Sequence, residues 1–457
     1  MSVRVEDRHP LNQVLTLRGW TAEYCLRRVA EKHQALGYGG MATRKEKLSR
    51  WTSPRKPQTP NMPTQLAMAA VLDIDAREVH ARGWPNWLLL GLRDDTTIWE
   101  SPWTPAGTIQ ALENAGGLVE LDRRGFLTVT TATVASVLAQ WATAAPAPAS
   151  TSGGRRIDSA VADRFDSRLG DLRHLDDDLG SDHVYDAARA EARLITRLLR
   201  ENSYSENTGQ RLHACAAEAS RLCGWCAFDR GQIAAAEKHF ATSLRASACA
   251  GDRTAGATAL AFWSNVLYSN RKPDPLGALD LIDGALTHRA GITSPRVLTM
   301  LHIRRARAYS IAKEPAAAYR AIDDALADYD RGTPPDEDLP SMYWITTGEV
   351  FQAAASAALS LGDPGRALTY FSVAATHHDP YDAEKEPRGT AIYLFREAEA
   401  YLALGDLDGA VDTAQRAVDL MGGVSSARGS DTLTGLRSKF TRHRAIPVVK
   451  NFLDETA

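Results

Sequence analysis

Three groups of residues have the types and spacing to do chemistry. Between Met41 and Pro60 stand six cations, Arg44, Lys45, Lys47, Arg50, Arg55 and Lys56, against one anion, Glu46. Six minus one leaves +5 on this stretch, within a chain whose net charge is −3. The planar fork of arginine matches two acceptors on a guanine edge, while cations in a loop suit phosphates. A local basic patch on a near-neutral chain is what a nucleic-acid-binding module joined to an acidic body presents. The alternative is a solvated charged face. Cys223-Gly-Trp-Cys226 has the spacing of a redox or zinc half-site. Its nearest further ligands, His213 and Cys215, precede it on the same helical run and cannot wrap a tetrahedron with it. Buried packing thiols are the favoured reading, with redox sensing and metal binding as alternatives. His377-His378-Asp379 has no third ligand at helical spacing. No Gly-rich phosphate loop, nucleophile elbow or zinc-protease helix occurs, so no enzyme, metal or cofactor is expected.

These groups need elements to position them. The basic stretch belongs to a first unit, residues 1–93, read as a DNA-binding domain of five short helices. An apolar pattern (Leu11, Val14, Leu15, Leu17) ends at Arg18-Gly19, and Thr21 then caps a second helix with Tyr24, Leu26 and Val29 as its buried stripe. Gly37-Tyr38-Gly39-Gly40 breaks that helix. A third runs from Thr43 to Trp51 with Leu48 and Trp51 inward, which turns Arg44, Lys47 and Arg50 largely outward. A proline-rich loop over 54–63 leads to a fourth helix (Leu66, Met68 to Leu72) and a fifth around Val79.

Residues 94–154 read as a connector. From Gly125 to Gly154 no residue is charged, and the stretch ends in Ala145-Pro-Ala-Pro-Ala-Ser150. Together with Arg123-Arg124 it has the outline of a twin-arginine export signal or a membrane span. Its place far inside the chain and its threonines favour a buried linker helix followed by a flexible tether. No membrane contact is expected on that reading.

The third unit, residues 155–457, repeats one arrangement of small residues five times. The first slot holds Gly224, Val266, Ala306, Ala355 and Ala398. Twelve positions on stand Ala236, Ala278, Ala318, Ala367 and Ala410, and seven further Ser243, Ala285, Ala325, Ala374 and Ala417. Gly231, Gly362 and Gly405 fall at the turn between the paired helices. Small side chains at these slots let two antiparallel helices approach closely. The five cysteines, an odd number scattered over helical segments, fit reduced thiols in a cytoplasm.

These small–small–small slots resemble the tetratricopeptide family of helical-hairpin repeats. Thr43-Arg-Lys-x-Lys-Leu-Ser-Arg-Trp-x-Ser-Pro-Arg-Lys-Pro, followed by Leu66-Ala-Met-Ala-Ala-Val-Leu-Asp, resembles the Cro/repressor-like helix-turn-helix family of xenobiotic-response-element type. The connection between helices two and three is longer here than the tight turn usual in that family. The resemblance implies that the Trp51 side chain packs under a recognition helix. It also implies that Thr43, Arg44, Lys45, Lys47, Arg50, Arg55 and Lys56 meet DNA. In the tetratricopeptide family the groove-facing residues fall at fixed offsets from the first slot. Those offsets give Arg221, Trp225 and Asp229, then Trp263, Asn270 and Arg271, then Arg307, then Glu349 and Gln352, then Glu399. For Trp225 and Trp263 the alternative is the core.

The whole layout resembles actinobacterial transcriptional regulators with an N-terminal helix-turn-helix and a tetratricopeptide-like body. The expected fold is all-α, a helix-turn-helix domain followed by an α-solenoid. The expected protein is a cytoplasmic homodimer that binds double-stranded DNA and senses a peptide or protein effector. The alternatives are a protein–protein adaptor with a vestigial helix-turn-helix and a membrane-tethered regulator.

Overall fold

In the computed structural model the described residues are 9–17, 20–53, 58–72, 74, 76–89, 98–99, 101–116, 131–150, 154–270, 272–332, 337–381, 383, 386–422 and 426–456. They form an all-helical protein with only two isolated β-bridges, and the chain divides into two compact units. The first comprises Met1–Ser101 and Gly117–Thr128, the second Pro102–Gly116 and Val129–Ala457.

The first unit contains α1 (Pro10–Leu17), α2 (Ala22–Ala35), α3 (Glu46–Trp51), α4 (Met62–Val71) and α5 (Ala76–Arg82), then a 3₁₀ turn, Asn86–Leu89. Its core gathers Leu11, Val14 and Leu15 of α1 with Leu26 and Val29 of α2, Leu48 and Trp51 of α3, Met68 of α4 and Trp87. The Thr21 hydroxyl accepts from the Tyr24 amide at 3.1 Å, as its type and place in the sequence suggest. One expectation changes: Cys25, not Tyr24, completes the buried stripe of α2, and Tyr24 lies half-exposed. Gly37 and Gly39 both take left-handed backbone (φ +80°), which a side chain would strain, and so α2 stops here.

The second unit opens with α6 (Pro105–Gly116) and α7 (Thr131–Thr143), followed by the long α8 (Ala160–Leu179) and α9 (Ser181–Glu201). Five helical pairs then run in order. They are α10 (Glu206–Asp229) with α11 (Ile233–Ala250), α12 (Arg253–Ser269) with α13 (Pro275–Leu286), and α14 (Pro295–Ile311) with α15 (Pro315–Asp330). Next come α16 (Thr347–Leu361) with α17 (Pro364–Thr376) and α18 (Pro387–Ala403) with α19 (Leu407–Met421). Helices α20 (Ala427–Phe440) and α21 (Pro447–Glu455) pack on the last pair. The first helix of each pair also packs on the first helix of the next.

Local chemistry sets these boundaries. Asp252, Asp274, Ser294, Asp363 and Asp406 each accept from an amide of the first helical turn, and Pro275, Pro295 and Pro364 occupy the first helical position. All fifteen small slots are buried. At Gly224 an added methyl would lie 2.8 Å from the Phe240 ring of the paired helix, so only glycine fits. The turns at Gly231, Gly362 and Gly405 all use left-handed backbone.

Of the segment expected as a connector, Pro102–Gly116 and the stretch from Val129 onward belong to the second unit, and the rest belongs to the first. No described helix is long and apolar enough to cross a membrane, and α7 is only 13 residues long. Its apolar surface is used against α11 and α13. Trp141 is buried and donates to the Ser247 hydroxyl at 3.2 Å, and Arg253 donates to the carbonyls of Trp141 and Ala142 at 2.8 and 2.9 Å. Residues 117–130, including the Arg123-Arg124 pair, lie outside the described residues. The Ala/Pro/Ser segment is extended chain with fixed partners and not a free tether. The Ala147 amide donates to the Cys249 carbonyl at 2.7 Å, and Ser150 exchanges two backbone bonds with Tyr204. Composition alone marks such a stretch as loose, because its ordering comes from backbone groups that no side-chain pattern reveals.

Candidate functional sites

In the first unit the basic helix is anchored from below. Leu48 and Trp51 are 6% and 4% exposed, while Thr43, Arg44, Lys45 and Arg50 are exposed and Lys47 is half-buried. The Lys47 ammonium sits 5.9 Å from the Trp51 ring centroid. The helix is shorter than its sequence pattern suggests. It begins at Glu46, and Thr43 and Arg44 precede it as non-helical backbone, with the Lys47 amide donating to the Arg44 carbonyl. Gln65 fixes the segment beyond: its amide donates to the Pro60 carbonyl at 2.8 Å and accepts from the Trp87 indole at 3.0 Å. On the other side, His33 binds the Gly39 carbonyl through Nδ1 at 2.8 Å and meets the Tyr38 ring edge-on, which holds the long α2–α3 connection. Arg55 and Lys56 lie outside the described residues. The geometry leaves three cations and a threonine exposed to a large polyanion, Arg50 on a helix whose orientation is set by two buried side chains and Thr43, Arg44 and Lys45 just before it.

The second unit holds a network of buried charges. Asp176 and Asp177 end α8, where the helix dipole makes negative charge unwelcome. Arg388 of α18 compensates. It donates to Asp176 at 2.7 Å and to Asp229 at 3.3 Å, and passes within 3.7 Å of Asp177. Burial raises the Asp176 carboxyl, but the adjacent Arg388 more than offsets this and leaves it below its ordinary range. Asp177, bonded by the Tyr343 hydroxyl, is instead raised, chiefly by burial. Asp229 also accepts from the Ser426 hydroxyl at 2.8 Å, which brings in the start of α20. Trp225 lies within this network: its indole donates to Asp176 at 3.2 Å, and the Arg428 guanidinium stands 4.6 Å from its ring centroid. Arg221 is consumed by two bonds of 2.8 Å to Glu218, which Arg173 also meets at 2.8 Å. Burial penalises the Glu218 charge, yet Arg221 and Arg173 hold its pKa down to about 2.

A second polar group lies across α14, α16 and α18. Glu349, Gln352 and Ser356 share one face of α16 at spacings of three and four. Tyr393 of α18 donates to Glu349 Oε1 at 2.7 Å, but among the described residues Oε2 has no partner, and neither has Gln352 Oε1, Ser356 Oγ or Thr390 Oγ1. Burial raises Glu349 to about 7, against the opposing pull of Arg304. Arg307 of α14 is 6% exposed and donates to the Ser356 carbonyl and to the hydroxyls of Ser310 and Ser360. It has no carboxylate partner among the described residues. Burial, with the repulsion of Arg396 and Arg304, pushes its pKa down to about 9.

The expected groove residues therefore divide. Arg221, Trp225 and Asp229 share the first network, and Arg307, Glu349 and Gln352 share the second. Trp263 is fully buried, so the core alternative describes it and the groove assignment does not. Asn270 is half-buried at the end of α12, and Arg271 lies outside the described residues. Glu399 stands apart, paired with Lys439 of α20. Sequence reasoning missed Asp176, Asp177, Tyr343, Arg388 and Tyr393. One signal was present: three consecutive aspartates, 176–178, at a helix C-terminus call for a buried cation.

The other motifs have structural duties. Cys223 and Cys226 are fully buried; burial pushes Cys223 up to about 12 and Cys226 well above its ordinary range, far from a reactive thiolate. Asp379 accepts from the Tyr329 hydroxyl at 2.6 Å and from the Thr347 amide at 3.0 Å, at the start of α16. The His377 and His378 rings lie tilted against one another, their centroids 4.3 Å apart. No protein-family model matches this chain, and none of the curated proteins matches it.

Proposed function

We propose that the chain is a transcription regulator whose first unit is a helix-turn-helix that binds double-stranded DNA through α3. On this reading the paired helices of the second unit form a tetratricopeptide-like α-solenoid that mediates dimerisation and senses a peptide or protein effector. The observation that carries it is one short basic segment, α3 with the residues just before it, in which Leu48 and Trp51 are buried while Arg44, Lys45 and Arg50 are exposed. A helix held rigidly from below with a cationic outer face suits a groove whose walls are phosphates. Two copies are needed because one such domain reads only a half-site, and symmetric half-sites stand about 34 Å apart. Effector binding that favours one arrangement of the two copies then changes DNA affinity by linkage.

The test is selection of genomic fragments by the full chain, with the affinity of the recovered fragments measured across salt. A regulator yields a recurring two-fold-symmetric site that outcompetes bulk DNA at about 150 mM salt, whereas sequence-independent association weakens steeply and yields none. A second reading, an adaptor with a vestigial helix-turn-helix, draws on the shortness of α3 (Glu46–Trp51) and the long 36–45 connection. Salt-sensitive association without a recurring site would favour it.

A further inference from the structure

The polar groups shared by α14, α16 and α18 have a direction. At one end stands Arg307, buried and without a carboxylate among the described residues, with Arg396 close enough to repel it. A buried guanidinium in this state is costly, and an incoming anion relieves that cost. At the other end, Glu349 Oε2, Gln352 Oε1 and Thr390 Oγ1 have no partner among the described residues, and Glu349 is 2% exposed. Carboxylate and amide oxygens only accept, so Glu349 Oε2 and Gln352 Oε1 call for N–H donors, while the Thr390 hydroxyl can donate or accept. The geometry points to a site for a short linear peptide with free ends, its carboxylate on Arg307 and Arg396 and its ammonium on Glu349.

The spacing selects the length. Arg307 meets α16 at Ser356, seven residues beyond Glu349. At 1.5 Å per residue that is about 10 Å along the helix. A single amino acid places its two charges far closer together. An extended chain advances about 3.3–3.6 Å per residue, so about three residues span the gap. Gln352 and Thr390 then lie beside the peptide backbone and Ser356 beside its carboxylate end. Gln352, Thr390 and Arg396 are half-buried, so the site is approached from their side. Burial that raises Glu349 to about 7 fits a carboxyl that ionises when an ammonium arrives.

This inference rests on the sensor reading of the second unit, and its test leaves the DNA reading aside. The full chain is titrated calorimetrically with three pools of random-sequence tripeptides: free-ended, C-terminally amidated and N-terminally acetylated. The expected result is saturable binding of the free-ended pool, weakened at least tenfold by either block. Arg396→Gln, at a half-buried position, removes the penalty for amidation, and Glu349→Gln removes the penalty for acetylation. Equal binding of all three pools, or binding of none, overturns the proposal. So does an amidation penalty that survives in Arg396→Gln and in Arg307→Gln alike. Failure here leaves recovery of a DNA site by the unliganded chain unaffected, so the two readings fail separately.

Discussion

Arg388 Nη2 donates to Asp176 Oδ2 at 2.7 Å, which joins α8 to α18 across 212 residues of sequence. Both side chains are nearly buried, and Asp229, Ser181 and Ser426 complete the bonding around them. Removing one member of a buried ion pair strands the other and costs about 3–5 kcal/mol. Arg388→Ala is therefore expected to lower the unfolding midpoint of the second unit by several degrees. Asp176→Asn should add little to it in the double variant, because the partner is already gone. Differential scanning calorimetry of the three variants checks this, and additive losses would show that the two residues act independently.

The small slots make a sharper prediction. Gly224→Ala places a methyl 2.8 Å from the Phe240 ring and should cost about 1–3 kcal/mol. Gly435, in α20 with open space at its Cβ position, is the control: alanine there should be neutral or stabilising by up to about 1 kcal/mol. Denaturant midpoints for the two variants should move in opposite directions. Phe240→Leu should recover part of the loss at position 224.

Helix α7 is docked through a similarly close approach. A methyl on Gly256 would lie 2.5 Å from the Trp141 ring. Gly256→Ala is expected to displace α7 and speed proteolytic cleavage within residues 144–150. Cleavage at the wild-type rate would mean that this packing does not restrain the segment.

Glu349 sets a pH dependence. Its pKa in the folded chain is raised from 4.5 to about 7, so the folded state holds a proton that the unfolded state releases over that range. Stability from this group is complete below pH 4.5 and falls as pH rises towards 7. At about 1.4 kcal/mol per pH unit the full effect is at most about 3–4 kcal/mol. The groups facing it are Arg304, Tyr393, Arg428 and Tyr381. Glu349→Gln should therefore gain on the wild type in melting temperature between pH 5 and pH 8, and a constant difference would remove Glu349 as the cause.

Much of the architecture was legible because its constraints are local and periodic. Close helix approach forces small residues at fixed spacing, and Asp-Pro and Ser-Pro pairs mark helix starts whatever surrounds them. The outward face of α3 followed from Leu48 and Trp51 alone. Contacts between distant segments were not legible. Nothing near Arg388 announces Asp176, and Trp263 at a groove offset looks the same in sequence whether it faces a ligand or the core. The segment 144–150 misled for a different reason: its partners are backbone groups of Tyr204 and Cys249, which leave no trace in side-chain composition.

The most direct test of the central claim is operator binding by the variant Arg44→Ala with Arg50→Ala, measured by fluorescence anisotropy on a recovered fragment at fixed salt. Both side chains are exposed, so the melting temperature of the variant should match the wild type. The account predicts at least a tenfold loss of specific affinity, with binding reduced towards that of bulk DNA. Unchanged specific affinity in a folded variant would contradict it, because α3 would then not be the element that meets the duplex.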